Sequence, residues 1–167
     1  MRCSECGFDY KAILRAEITG RLRDFAPLYR SRLERGEGLR RRPAADVWSP
    51  LEYCCHVRDV VTVQRARVGL ALTQDRPTLA PMQREERVER DRYNEQDPIV
   101  VADELQRALD AFAARLDSLT PAQWERTAIY NYPVTQERTV EWIAIHTLHE
   151  CGHHLQDVDA GLRASLS

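Results

Sequence analysis

Apolar residues recur along most of the chain at the spacing of a single helix face, and alternating apolar–polar stretches are nearly absent. Four segments carry this pattern. The first runs from about Tyr10 to Leu33, with Leu14, Ile18, Leu22, Phe25, Tyr29 and Leu33 on one stripe and Pro27 placed to kink it. The second opens at Ser49-Pro50-Leu51-Glu52, which supplies an N-cap serine, a proline at the first helical position and a glutamate to close a capping box. Its stripe continues through Val57, Val60, Val61, Val68 and Leu72 and stops at Asp75-Arg76-Pro77. The third opens at Asp97-Pro98 by the same logic, with Leu105, Leu109, Phe112 and Leu116 as its core face. The fourth runs from Thr139 to about Leu162. The fold class expected is all-α, a four-helix bundle.

The connections constrain how the helices are arranged. About 24 residues, Gln74 to Asp97, separate the second and third helices. An antiparallel helix hairpin needs only roughly 2–8. A connection this long can return along the whole bundle and leave those two helices parallel. Its charged run Arg84-Glu85-Glu86-Arg87-Val88-Glu89-Arg90 reads as a solvated helix face, and Arg92-Tyr93-Asn94-Glu95-Gln96 as a solvated helix start. Thr120-Pro121-Ala122-Gln123-Trp124 is a further capped turn, and Ala128-Ile129-Tyr130-Asn131-Tyr132-Pro133 reads as irregular or short-strand. Trp48, Trp124 and Trp142 read as packing residues.

With 167 residues the chain is expected to form one domain over 1–167, with residues 1–9 as an N-terminal extension. Net charge is −2, and the basic residues, all arginine except Lys11, are interspersed with acids. That balance gives no electrostatic case for nucleic acid or an anionic membrane. No apolar run reaches the roughly 18–20 residues of a membrane span, and Met1–Tyr10 lacks the apolar core of a signal peptide. The expected location is the cytoplasm. Five cysteines, an odd number, do not make a disulfide framework there. Cys3-Ser-Glu-Cys6-Gly7 is half of a zinc ribbon or a redox pair. Cys54-Cys55 can in principle complete a four-thiolate site with it, although burial as small hydrophobes is their expected role.

The histidines carry the chemistry. His56 lies in the second helix, and His146, His149, His153 and His154 fall within nine residues of the fourth. Two potential ligands share a helix face at a separation of four, a condition met by Glu150 with His154 and by His149 with His153. On a helical wheel, Ala144, Leu148, Cys151, Leu155, Val158 and Leu162 form the core face. Glu150 and His154 flank it, whereas His149 and His153 point almost opposite. Ligands that meet His56 across the bundle should flank the core, so the wheel favours Glu150 and His154. Gly152 costs about 1 kcal/mol of helix propensity, which suggests a close helix approach or room at a site.

Trp48-Ser49-Pro50-Leu51-Glu52-Tyr53-Cys54-Cys55-His56-Val57 resembles the second-helix motif of the DinB/YfiT-like superfamily. The stretch from Thr139-Val140-Glu141-Trp142 through His154-Leu155 resembles its fourth-helix motif. The resemblance implies up-down-down-up topology and a divalent metal held by one histidine of helix two and two ligands of helix four. The usual helix-four pair is two histidines four apart, with an apolar residue four positions further on. Anchoring on His154 places Val158 there; anchoring on His153 places Asp157. The first register puts Glu150 where a histidine is commoner, similar to the mycothiol-dependent maleylpyruvate isomerase branch. The metal ligands expected are therefore His56, Glu150 and His154, with His149 and His153 as the alternative helix-four pair.

Two imidazoles and a carboxylate suit zinc with one open position, and nickel or iron are also acceptable. By resemblance, the partners expected are a low-molecular-weight thiol of the mycothiol or bacillithiol type and an electrophile. The activity implied is thiol S-transfer or thiol-dependent isomerisation, with no separate general base named by the sequence. Two other functions fit the same residues: a non-catalytic metal-binding stress-response or dimerisation module, and a sensor built on Cys3 and Cys6. A homodimer fits any of them.

Overall fold

A computed structural model of the chain describes residues 1–131 and 134–165. Among the described residues there are six α-helices, α1 (Ile18–Leu33), α2 (Pro50–Thr73), α3 (Arg84–Arg90), α4 (Pro98–Asp117), α5 (Pro121–Trp124) and α6 (Val140–Ala164), and one hairpin, β1 (Thr127–Tyr130) with β2 (Gln136–Thr139), between α5 and α6. The four long helices α1, α2, α4 and α6 form the bundle; α1 and α2 each pack against both α4 and α6.

The pairings give the direction of each helix. Arg58 of α2 bonds Glu104 of α4 at 2.7 Å, and eleven residues further along each helix Gly69 lies against the Arg115 guanidinium. The two helices therefore run parallel. Arg30 of α1 pairs with Asp103 and Arg23 with Asp117, an antiparallel order. Arg32 pairs with Asp159 and Phe25 faces Gly152, so α1 and α6 are parallel. The bundle is up-down-down-up.

The caps hold as the sequence predicts. Ser49 accepts from the Glu52 amide while the Glu52 carboxylate accepts from the Ser49 amide, and that buried carboxylate also takes two bonds from Arg42. Asp97 accepts from the amides of Ile99 and Val100.

The first helix departs from expectation. It begins at Ile18, after two 3₁₀ turns at Tyr10–Ala12 and Arg15–Glu17. Leu14 between them is extended and 63% exposed, so it is not on the stripe. The reason is local: Asp9 caps a short turn of its own, which diverts Tyr10 sideways onto α6. Pro27 sits inside α1 without ending it.

The long connection runs back beside α2 as α3 and a 3₁₀ turn at Tyr93–Glu95. The outer face of α3 is exposed and Val88 is buried, as its charge pattern implies. Arg92–Gln96 is not a solvated helix start: Tyr93 is fully buried and its hydroxyl donates to Asp59. The stretch after Trp124 forms β1; Tyr132 and Pro133 lie outside the described residues. No helix among the described residues is long and apolar enough to cross a membrane.

Two glycines of α6 differ in their surroundings. A Cβ at Gly161 would sit 2.9 Å from Pro50 Cγ, whereas one at Gly152 would meet the Phe25 ring at an ordinary 3.6 Å. The close helix approach is therefore at Gly161. Gly161→Ala should cost about 1–2 kcal/mol through overpacking, while Gly152→Ala should gain up to about 1 kcal/mol of helix propensity. Urea unfolding of both variants checks the opposite signs.

Candidate metal centre

Antiparallel packing of α2 and α6 brings His56 opposite His154, with ring centroids 4.9 Å apart. One donor atom each from His56, Glu150 and His154 lies within 4.8 Å of the other two. His56 is buried against the edge of Trp48, and its Nδ1 has no hydrogen-bond partner among the described residues. His154 is oriented: its Nδ1 bonds Asp157 at 2.8 Å, leaving Nε2 3.6 Å from Glu150. An imidazole held by a carboxylate on one nitrogen, with the other turned to a shared site, is the usual outer-shell arrangement of a metal-binding histidine. The donor set and the unpartnered His56 nitrogen both fit a divalent ion.

The electrostatics are complementary. Burial, with some repulsion from His154, pushes His56 down to about 3, so it is neutral with a lone pair available. Burial also works against protonation of His154, but Asp157 and Glu150 outweigh it and raise the imidazole to about 9. Burial alone would raise Glu150; the neighbouring imidazoles of His149, His154 and His146 instead hold its carboxyl well below the usual range. The pocket thus keeps one buried negative charge between histidines.

The wheel places Glu150 and His154 beside the core face, and the structure agrees: Ala144, Leu148, Cys151, Val158 and Leu162 are buried in the core. The opposite face, where the wheel puts His149 and His153, is covered. His149 and His153 do not point into solvent, because residues 1–12 fold over them. Phe8 and Tyr10 lie 5.4 and 5.5 Å from the His149 ring, and Tyr10 Oη is 2.8 Å from His146 Nδ1. Both ring nitrogens of His149 are buried without a hydrogen-bond partner among the described residues; Glu150 is 3.3 Å from one of them in poor geometry. The extension brings Cys3 and Cys6 to His149 and His153, not to Cys54 and Cys55, which are buried in the bundle as expected. His146 with His149 and Glu150, and His153 with His154 and Asp157, form two further donor groupings, each drawn from α6 alone.

A model of the DinB superfamily matches residues 21–158. The chain belongs to the DinB superfamily. Two solved structures share its fold. YfiT from Bacillus subtilis, described as a probable metal-dependent hydrolase with an unusual four-helix bundle topology, superposes with a TM-score of 0.79 at 19% identity, over 89% of this chain and 86% of that one. A mycothiol-dependent maleylpyruvate isomerase variant superposes with a TM-score of 0.71 at 12% identity, over 90% of this chain and 63% of the isomerase. No curated protein matches in sequence.

In this DinB superfamily chain two cavities meet at the carboxylate. One, of 290 Å³, has apolar walls from Val60, Pro81, Met82 and Tyr130 and reaches His56, His146 and Glu150. The other, of 610 Å³, is lined by residues that include Arg2, Gln136 and Arg138, and reaches His146, Glu150 and His154. Sequence reasoning missed most of the walls. Tyr130 lies in a hairpin without helical period, and its hydroxyl is fixed by Gln64 and Arg67. Asp157 was visible only as the wrong residue for an apolar position; at three residues from His154 it is within reach on the same helix.

Proposed function

We propose that the chain is a metal-dependent enzyme in which His56, Glu150 and His154 hold a divalent ion. Two imidazoles and one carboxylate suit zinc with an open position, His154 giving up its proton when the ion binds, and nickel or iron are compatible. The observation that carries this reading is the carboxylate–histidine pair Asp157–His154 aimed at Glu150 and His56, in the wall shared by two cavities. When bound there, the ion supplies Lewis acidity that makes a coordinated thiol a nucleophile at neutral pH.

The chain's own residues supply the rest. Asp157 fixes the ring of His154, and Glu150 offers its charge to the site. Tyr130, Met82 and Val60 exclude water from one side, leaving an apolar space for an electrophile. The larger, more polar cavity suits a hydrophilic thiol of the mycothiol or bacillithiol type. The maleylpyruvate isomerase of the same fold is described as mycothiol-dependent, which supports thiol S-transfer or thiol-dependent isomerisation. The description of YfiT as a probable hydrolase supports a second reading, in which water occupies the open position.

The test is zinc-loaded protein mixed with a low-molecular-weight thiol and a fluorogenic alkylating electrophile. Adduct formation that needs both metal and thiol supports the thiol reading. Product release without thiol supports hydrolysis, and metal binding with neither rate leaves the non-catalytic module. Asp157→Ala should weaken metal binding by roughly 10–100-fold, as loss of an outer-shell partner does. Competition with a calibrated chelator measures it.

A further inference from the structure

The N-terminal extension is tied to itself before it meets the bundle. Gly7, at φ +74°, donates its amide to the Cys3 carbonyl at 3.1 Å, and the Cys3 amide donates to Phe8 at 2.9 Å. Both thiols face the outer side of α6. One donor atom from each of Cys3, Cys6, His149 and His153 lies within 4.8 Å of the other three, and Cys3 Sγ is 3.9 Å from His153 Nδ1.

We propose that Cys3, Cys6, His149 and His153 form a second metal site, a closed tetrahedral Cys₂His₂ site for zinc, separate from His56, Glu150 and His154. Two thiols with two residues between them on a turn and two imidazoles one helical turn apart are the ligand types and spacings of a structural zinc site. Zn–S and Zn–N bonds of about 2.3 and 2.0–2.1 Å give a tetrahedron with edges of about 3.3–3.8 Å. The Cys3–His153 distance is already close to that. The remaining contraction falls on a short surface turn and not on the bundle core.

Two observations point to a ligand and not merely to packing. His149 has both ring nitrogens buried without a hydrogen bond among the described residues, the Glu150 carboxylate 3.3 Å away making an ion contact only, and native structures rarely leave such groups without a hydrogen bond. His153 presents Nδ1 to Cys3 while its Nε2 lies 3.3 Å from Glu5, so Glu5 stands to His153 as Asp157 stands to His154. Zinc binding would displace the two thiol protons and change no oxidation state. The bound ion would pin the extension, with Arg2 and Tyr10, along the larger cavity. The spare histidine pair of α6 would then belong to this second site and not to an alternative version of the first.

The test uses the full-length chain, purified untagged under reducing conditions, stripped with a chelator and titrated with cobalt(II), then zinc. Only the second site contains sulfur, and the other three cysteines are buried in the core. The wild type should bind two zinc per chain and show thiolate-to-cobalt charge-transfer absorption. Cys6→Ser and, independently, His153→Ala should each lose that absorption and one equivalent of zinc while keeping wild-type helical circular dichroism. His56→Ala should lose one equivalent but retain the absorption; failure of that arm alone counts against the first site and leaves the second standing. A reduced wild-type chain that gives no sulfur–cobalt absorption overturns the proposal. So does one that holds a Cys3–Cys6 disulfide as isolated and takes up no second metal after reduction.

Discussion

Glu150→Ala and His154→Ala should each abolish stoichiometric metal at the His56 site, whereas His153→Ala and His149→Ala should leave that site nearly intact. The contrast follows from placement. Glu150 and His154 border the core face of α6 and meet His56 across the interface with α2, while His149 and His153 face the N-terminal extension. Tight zinc sites have apparent binding energies on the order of 10 kcal/mol or more, so losing one of three protein ligands should cost several. Elemental analysis in a Cys6→Ser background isolates this site from the second. If His149 and His153 prove essential there and Glu150 dispensable, the ligand set proposed for this site is wrong.

Asp59→Ala should destabilise the fold by about 3 kcal/mol, the range for breaking a buried ion pair. Asp59 and Arg58 have side chains only 14% and 13% exposed, so solvent screens them little. Asp59 accepts from Arg58 at 2.9 Å, from the Tyr93 hydroxyl at 2.5 Å and from Arg87 at 3.4 Å. Alanine removes the acceptor for three donors and leaves the Arg58 guanidinium with Glu104 and Gln96 alone. Urea denaturation of the metal-free protein measures the loss. A change under 1 kcal/mol would mean that the network contributes geometry without stability. The same substitution should loosen the α2–α4 connection, read as faster proteolytic cleavage between residues 74 and 97.

The bundle was largely legible because its signals are local. Ser49, Glu52 and Asp97 mark helix starts through bonds to their own neighbours, and apolar stripes report which face is buried. The flanking position of Glu150 and His154 follows from the wheel alone. What the sequence hid is long-range. A wheel tells which face meets the other helices, not whether a terminal segment covers the opposite face. Residues 1–9 have no helical period, so nothing local announces that Phe8 and Tyr10 lie on histidines about 140 residues away. Tyr93 was misread for a similar reason: a polar neighbourhood in sequence conceals a single buried anchor.

The parallel order of α2 and α4 has a consequence for how such a protein can diversify. After a helix of 24 residues, roughly 36 Å long, the chain must travel back before α4 can start in the same direction. Pro81 and Met82, at the cavity wall, lie on that return path. The topology therefore obliges the molecule to carry a long segment that is anchored in the core at Leu79, Val88 and Tyr93 and otherwise runs outside the bundle, past the cavity that reaches the ligands. Substitutions at its cavity-facing positions Pro81 and Met82 alter what the cavity admits without disturbing those anchors. Selection can thus retune the chemistry of the pocket and the stability of the scaffold largely independently, because different positions of the segment govern them.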